Sequence, residues 1–441
     1  MKVIIIGGVA AGMSAASKIK RTNPSAQVTV YEQGGVLAYG ACGLPYFVAG
    51  YNEDESLLIA RSKEQFEKQG ILCRLHHQAV GLDPANKRVT VKNLQTGQVF
   101  EDSYDKLMLA VGAAPVVPPL AGLQKEGVFT LKTISDARQL KAAAAPGKQA
   151  VVVGGGYIGI ETAEALSACG CRVTVVERAP RVLTTFEPEL AALAQDELTA
   201  QGVTVRCNES VTALEGGDAV SGVRTDQGVI PADLAVLALG VRPATGFLAD
   251  SGIEMLPNGA IVVDRTLRAS LPDVWAAGDC AVVYNRALGE NSYLPLGTVA
   301  NKCGRLAGEN ICGGHSEFIG ALGSAAIKVF DIELGRTGFS EEDAKRLGLD
   351  YGTVVVRGRN HPLYYPGSAR ITVKLVYEQG SKRLLGASLA GGRGAALRTD
   401  IFAVAIQAGI TAPELGMTDL VYAPPFSGVW DIVNVACNAV K

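Results

Sequence analysis

Apolar residues come in short unbroken runs, separated by glycine turns and by stretches of helical spacing. Residues 3–6 read V-I-I-I, followed by G-G-V-A-A-G, then M-S-A-A-S-K-I-K-R-T-N, then V-T-V-Y-E up to residue 32. The same order returns at 150–177: A-V-V-V, G-G-G-Y-I-G-I-E, T-A-E-A-L-S-A-C-G, C-R-V-T-V-V-E. Apolar runs bounded by glycine predict buried strands of a parallel sheet, and the helical stretch between each pair predicts the crossover. Each copy therefore reads as a βαβ unit. Further short strands are predicted in Y-D-K-L-M-L-A-V-G at 104–112, V-L-A-L-G-V-R-P at 236–243 and P-D-V-W-A-A-G-D-C at 272–280. The first runs into A-A-P-V-V-P-P and, with the second, reads as a pair of crossings between domains.

The glycine turns carry the first candidate chemistry. Gly154, Gly156 and Gly159 have the full dinucleotide spacing, and Glu177 closes the unit. Gly7, Gly8 and Gly12 form the other turn, with Val9 at the middle glycine's place and Glu32 at the end. Such glycines let the backbone approach a pyrophosphate at a helix N-terminus, and the closing carboxylate accepts ribose hydroxyls. The plainer alternative is helix–strand packing. Two copies in one chain favour two dinucleotides, a flavin and a nicotinamide. Asp279, just after a strand, is placed for a sugar or ribityl hydroxyl, with a turn residue as the alternative.

Composition narrows the class. A chain of 441 residues with 48% hydrophobic residues has enough apolar mass for two or three packed domains and is not a disordered polymer. A net charge of −2 gives no general attraction to nucleic acid or anionic lipid. No apolar run reaches about 18 residues, so no membrane span is predicted. The start does not read as a signal peptide. Nine cysteines, an odd number without a C-x-x-C pair, and four histidines without ligand spacing predict reduced thiols, no metal site and a cytoplasmic protein.

The order of these motifs resembles the FAD-dependent pyridine nucleotide–disulfide oxidoreductase superfamily over nearly the whole chain. The resemblance implies an α/β fold with two Rossmann-like dinucleotide-binding domains and a C-terminal α+β dimerisation domain. It assigns 1–112 and 244–321 to a discontinuous FAD-binding domain, 113–243 to an NAD(P)H-binding domain and 322–441 to the interface of a homodimer. FAD contacts would fall on Gly7, Gly8, Gly12, Glu32, Gly112 and Asp279. NADH would fall on Gly154, Gly156, Gly159 and Glu177, with Glu161 near the nicotinamide. Glu177 favours NADH by repelling a 2′-phosphate, while Arg178 and Arg181 leave NADPH open.

The key run is A-Y-G-A-C-G-L-P-Y-F at 38–47, which sets Cys42 ten residues after Glu32. As a thiolate it would exchange with a disulfide; the alternative is a buried structural thiol. Relatives that cycle a dithiol carry a second cysteine five residues on, where this chain has Phe47. The resemblance is therefore to the single-cysteine branch: coenzyme A–disulfide reductases, NADH oxidases and peroxidases, and persulfide or polysulfide reductases. Oxidases and peroxidases carry a histidine where Ala10 aligns. C-G-L-P-Y is similar to the coenzyme A–disulfide reductases, whose coenzyme A contacts match Ser14, Lys18 and Arg21. These three share one helical face, and the alternative is a solvated basic face.

H-P-L-Y-Y-P-G at 361–367 and D-L-V-Y-A-P-P-F-S at 419–427 resemble segments that bring tyrosines of one subunit to the cysteine of the other, here Tyr365 and Tyr422, with Tyr364 beside them. Ala38, Ala41 and Asn301 depart from polar positions of the coenzyme A enzymes. The run to Lys441 holds no rhodanese-like domain, which lowers the persulfide expectation. The expected activity is NAD(P)H-dependent reduction of coenzyme A disulfide or a related small disulfide. The alternatives are an NADH oxidase, a persulfide or polysulfide reductase and, remotely, a non-catalytic flavin redox sensor.

Overall fold

The computed structural model describes all 441 residues. The chain divides into two compact units: Met1–Leu44, Asn52–Val116 and Val241–Ala321 in the first, and Pro45–Tyr51, Val117–Gly240 and Leu322–Lys441 in the second.

The first unit is built on a five-stranded parallel sheet. Its spatial order is Val274–Ala276, Lys106–Leu109, Lys2–Ile6, Gln27–Glu32, Ile71–Leu75. Ile4, Ile5, Val30, Leu107, Met108 and Leu109 are buried, as continuous apolar strands require when both faces are covered. Parallel neighbours need a crossover, and helix Ala10–Thr22 supplies it between Lys2–Ile6 and Gln27–Glu32. That helix packs on helix Gly297–Ile311 at very short range. A Cβ on Gly304 would stand 2.2 Å from the Ala11 carbonyl oxygen, and one on Gly308 would stand 2.6 Å from that of Ala15. Only glycine permits this approach.

The second unit repeats the plan. Thr204–Cys207, Arg172–Glu177, Gln149–Val153, Leu234–Leu237 and Val128–Phe129 form a parallel sheet, with helix Tyr157–Ala168 as its first crossover. The same unit contains a five-stranded antiparallel sheet: Ala325–Val329, Ile332–Gly338, Leu384–Gly391, Arg370–Glu378 and Tyr351–Arg359. Helices Ala395–Ala408 and Ile432–Asn438 bury Phe402 and Val433 in the core of that sheet.

Ion pairs join the two parts of this unit. Lys374, on strand Arg370–Glu378, is 3% exposed and sits 3.0 Å from Glu187, itself 4% exposed. It also pairs with Glu189 at 3.1 Å and with Glu341 at 2.6 Å. Lys328 pairs with the buried Glu164 of helix Tyr157–Ala168 at 2.8 Å. No helix is long and apolar enough to cross a membrane.

Candidate active site

Both glycine turns lie at the carboxyl ends of parallel strands, where doubly wound sheets bind their ligands. Their geometries match closely. Gly7 has φ +101° and Gly154 φ +108°; a Cβ would meet the carbonyl oxygens of Ala110 at 2.1 Å and Ala238 at 2.4 Å. A Cβ on Gly12 or Gly159 would stand 1.9 Å from the oxygen of Gly7 or Gly154. These glycines let each helix close on its turn. Gly156 is different: nothing lies within 4 Å of its Cβ direction, so the turn stays open where a pyrophosphate would enter. In the first turn Val9 takes that place as N-cap.

Neither helix Ala10–Thr22 nor Tyr157–Ala168 has a side-chain N-cap hydrogen bond, whereas Ile134–Ala143 and Glu341–Arg346 close with capping boxes. The two crossover helices thus keep their first N–H groups available for phosphate oxygens. Glu32 accepts from Gly8 N–H at 2.7 Å and Gly34 N–H at 2.6 Å. Glu177 accepts from Gly155 N–H at 2.6 Å and Ala179 N–H at 2.7 Å. Sequence reasoning missed this bracing role. A carboxylate has about four acceptor sites, so each retains capacity for ribose hydroxyls. Gly112 (φ +67°) and Asp279, which follows Gly278 (φ +84°), lie at the same sheet edge as Gly7. The residues fit two dinucleotides.

Cys42 sits in the short helical turn Ala41–Gly43 and is the one exposed cysteine of the nine. The other eight are buried or half-buried, and burial raises each thiol: Cys73 to about 11, and Cys280, Cys303 and Cys437 to about 12. A buried, protonated thiol is a poor nucleophile, so accessibility singles out Cys42.

Beside this turn lies a groove of about 570 Å³. Val9, Ala10, Ala38 and Gly40 form its apolar wall; Ser14, Ser17, Arg21, Arg61, Lys302 and Arg305 bring polar and cationic groups. The Gly304/Gly308 packing places the helix carrying Lys302 and Arg305 against the helix carrying Ser14 and Arg21. Ser14 Oγ donates to Asn301 Oδ1 at 2.8 Å. Lys18, grouped with Ser14 and Arg21 by sequence, turns instead to Glu309 at 3.0 Å and does not line the groove. Sequence reasoning missed Ser17, Arg61, Lys302 and Arg305. The N-K-C-G-R-L-A-G run signals a close-packed helix for the last two, while no local pattern marks Arg61.

Glu161 accepts a hydrogen bond from the Tyr46 hydroxyl; burial, then the charge of Glu164, push its carboxyl up to about 7. Tyr365 and Tyr422 do not pair with each other. Tyr365 meets His361 edge-on at 5.5 Å, while Tyr364 hydrogen-bonds Tyr422, which raises the Tyr364 pKa. Arg398 anchors both loops: Nη2 donates to the carbonyl oxygens of Asn360 at 3.0 Å and Phe426 at 2.9 Å, and to Asp431 Oδ2 at 2.7 Å.

Residues 1–302 match the family described as pyridine nucleotide-disulphide oxidoreductase, and residues 324–432 match its dimerisation domain. The chain belongs to the pyridine nucleotide-disulphide oxidoreductase family. It is 36% identical to an NAD(P)H coenzyme A polysulfide/persulfide reductase of Pyrococcus horikoshii, covering 100% of this chain and 98% of that one. It is 29% identical to a coenzyme A disulfide reductase of Staphylococcus epidermidis, covering 98% of each. Among solved structures, the water-forming NADH oxidase of Lactobacillus brevis bound to NADH superposes with a TM-score of 0.95 at 31% identity, over 100% of this chain and 98% of that one. The protein is an oxidoreductase that binds FAD and NAD(P)H.

Proposed function

We propose that the enzyme uses NAD(P)H to reduce coenzyme A disulfide, or a related phosphate-bearing disulfide, through Cys42. The observation that carries this reading is the exposed Cys42 beside a groove with four cationic side chains. Arg21, Arg61, Lys302 and Arg305 suit the phosphates of coenzyme A, and arginine binds phosphate in a bidentate fork. The Cys42 thiolate attacks one sulfur of the substrate. A Cys42–coenzyme A disulfide forms and one coenzyme A thiolate leaves. Bound FAD supplies the passage of two electrons from NAD(P)H to that disulfide. The electrons release the second coenzyme A and restore the Cys42 thiolate, giving two thiols for each NAD(P)H oxidised.

The reading takes the enzyme as a homodimer. The exposed apolar residues Leu363, Tyr364, Val421, Phe426, Val429 and Trp430 favour burial against a second copy. A tyrosine hydroxyl of the Tyr364–Tyr422 pair would then protonate the departing thiolate of the other subunit's site. The 322–441 segment is read as the interface domain.

The deciding experiment is anaerobic NADH oxidation with coenzyme A disulfide, counting the thiols released. Oxygen uptake without disulfide would favour the oxidase named among the similar structures. Sulfide release from persulfides would favour the activity named for the Pyrococcus relative. Arg21→Ala is expected to raise KM for coenzyme A disulfide roughly tenfold while kcat changes less than about twofold, as loss of uniform binding requires. An unchanged KM would remove Arg21 from the site.

NADH is expected to be preferred because the Glu177 carboxylate would face a 2′-phosphate. Glu177→Ala should narrow the NADH/NADPH ratio of kcat/KM by about tenfold, roughly 1.4 kcal/mol. An unchanged ratio would assign selectivity elsewhere.

A further inference from the structure

We propose that Glu161, acting through the Tyr46 hydroxyl, is a positioning residue for Cys42; this rests on Cys42 being the redox thiol. The turn Ala41–Gly43 runs directly into helix Leu44–Val48, so Tyr46 stands four residues, about one helical turn, beyond the thiol. The chain leaves the first unit after Leu44, and Pro45–Tyr51 packs with the second. Three interactions hold it there. The Tyr46 hydroxyl bonds Glu161. The Lys141 ammonium lies 4.2 Å from the Phe47 ring centroid. The Cys169 thiol donates to the Val48 carbonyl oxygen at 3.2 Å. Glu161 lies on the helix that starts at the open Gly156 turn, so the tie joins the segment after the redox thiol to the nicotinamide-binding helix.

Of the three, the Tyr46–Glu161 bond is the one whose strength changes near neutral pH. Tyr46 and Tyr51 face Glu161 from the 45–51 turn, and Glu164 and Tyr157 from its own helix. Lys328, from strand Ala325–Val329, is committed to Glu164 Oε1 at 2.8 Å, and Glu164 Oε2 accepts the Phe330 N–H at 2.8 Å. Lys328 is thus taken up by Glu164, whose charge still helps to raise the Glu161 carboxyl, and Glu161 keeps the Tyr46 hydroxyl. A charged carboxylate is the stronger acceptor. With a carboxyl pushed up to about 7, the tie tightens as pH rises through neutrality and slackens below it. Both bonded residues belong to the second unit. The effect reaches Cys42 through the single covalent turn between Tyr46 and the thiol.

The test is the alkylation rate of Cys42 by iodoacetamide in the FAD-loaded enzyme. Bound thiols are first removed with dithiothreitol, and the modified peptide is followed by mass spectrometry from about pH 6 to about pH 9. Wild type should show an inflection near pH 7 beside the titration of the thiol itself. Tyr46→Phe and Glu161→Gln should each remove that inflection and change the rate at about pH 8 by at least roughly threefold. The double variant should do no more than either single, because the two side chains act as one unit. Profiles superimposable on wild type, or additive effects of the two substitutions, would overturn the tie. A wild-type Cys42 inert to iodoacetamide would overturn the redox-thiol reading and the tie with it. No disulfide turnover enters the readout, so failure of the coenzyme A reading is told apart from failure of the tie.

Discussion

Cys42→Ser is expected to lower disulfide-dependent NADH oxidation by roughly a thousandfold or more, the scale of removing a covalent nucleophile. A serine hydroxyl stays protonated at neutral pH and cannot form the mixed disulfide. The eight remaining thiols cannot substitute, because they are buried or half-buried and burial holds their pKa values up. The glycine turns lie outside the substitution, so reduction of bound FAD by NADH under anaerobic conditions should persist. Stopped-flow flavin absorbance beside a thiol count separates the two half-reactions. Retention of more than about a tenth of wild-type thiol release would sink the role of Cys42. Loss of flavin reduction together with thiol release would point to a misfolded variant.

Lys374→Met should destabilise the second unit by about 3–5 kcal/mol, because it leaves the buried Glu187 carboxylate without its cation. Glu187 keeps only the Glu341 N–H at 2.7 Å among the bonds this cluster gives it. Burial by itself lowers the Lys374 pKa. Hydrogen bonds to Glu341 and Glu187, with the charge of Glu187 and the bond to Glu189, outweigh it and raise the pKa above the ordinary lysine value. A raised lysine contributes stability that is fully present below the unfolded-state pKa, about 10.4, and is lost as pH rises through the folded value. The contribution is therefore complete at neutral pH. The midpoint of chemical denaturation should fall in the single variant and recover in part in Lys374→Met/Glu187→Met, where no charge is left unpaired. A single variant within about 1 kcal/mol of wild type would show the cluster to be energetically idle.

The two βαβ units, the glycine positions and the closing carboxylates were legible in the chain. Each depends on residues within one strand–turn–helix stretch, where periodicity and the need for positive φ act locally. The candidate redox cysteine was legible by its distance from Glu32, and the absence of a second thiol by Phe47. Tertiary packing decided the rest. Arg61 and Arg305 line the groove beside Arg21, although 40 and 284 positions separate them from it, and Arg305 reaches it because Gly304 and Gly308 admit Ala11 and Ala15. Lys18 shares a helical face with Arg21, yet Glu309 on that neighbouring helix draws it away. Tyr364, which the sequence set only beside Tyr365 and Tyr422, bonds Tyr422. Chain order also did not reveal that Pro45–Tyr51 packs with the second unit. Local geometry is set by a residue and its neighbours. Charge pairing and burial depend on which distant segments packing brings within a few ångströms, and these the folded chain alone decided.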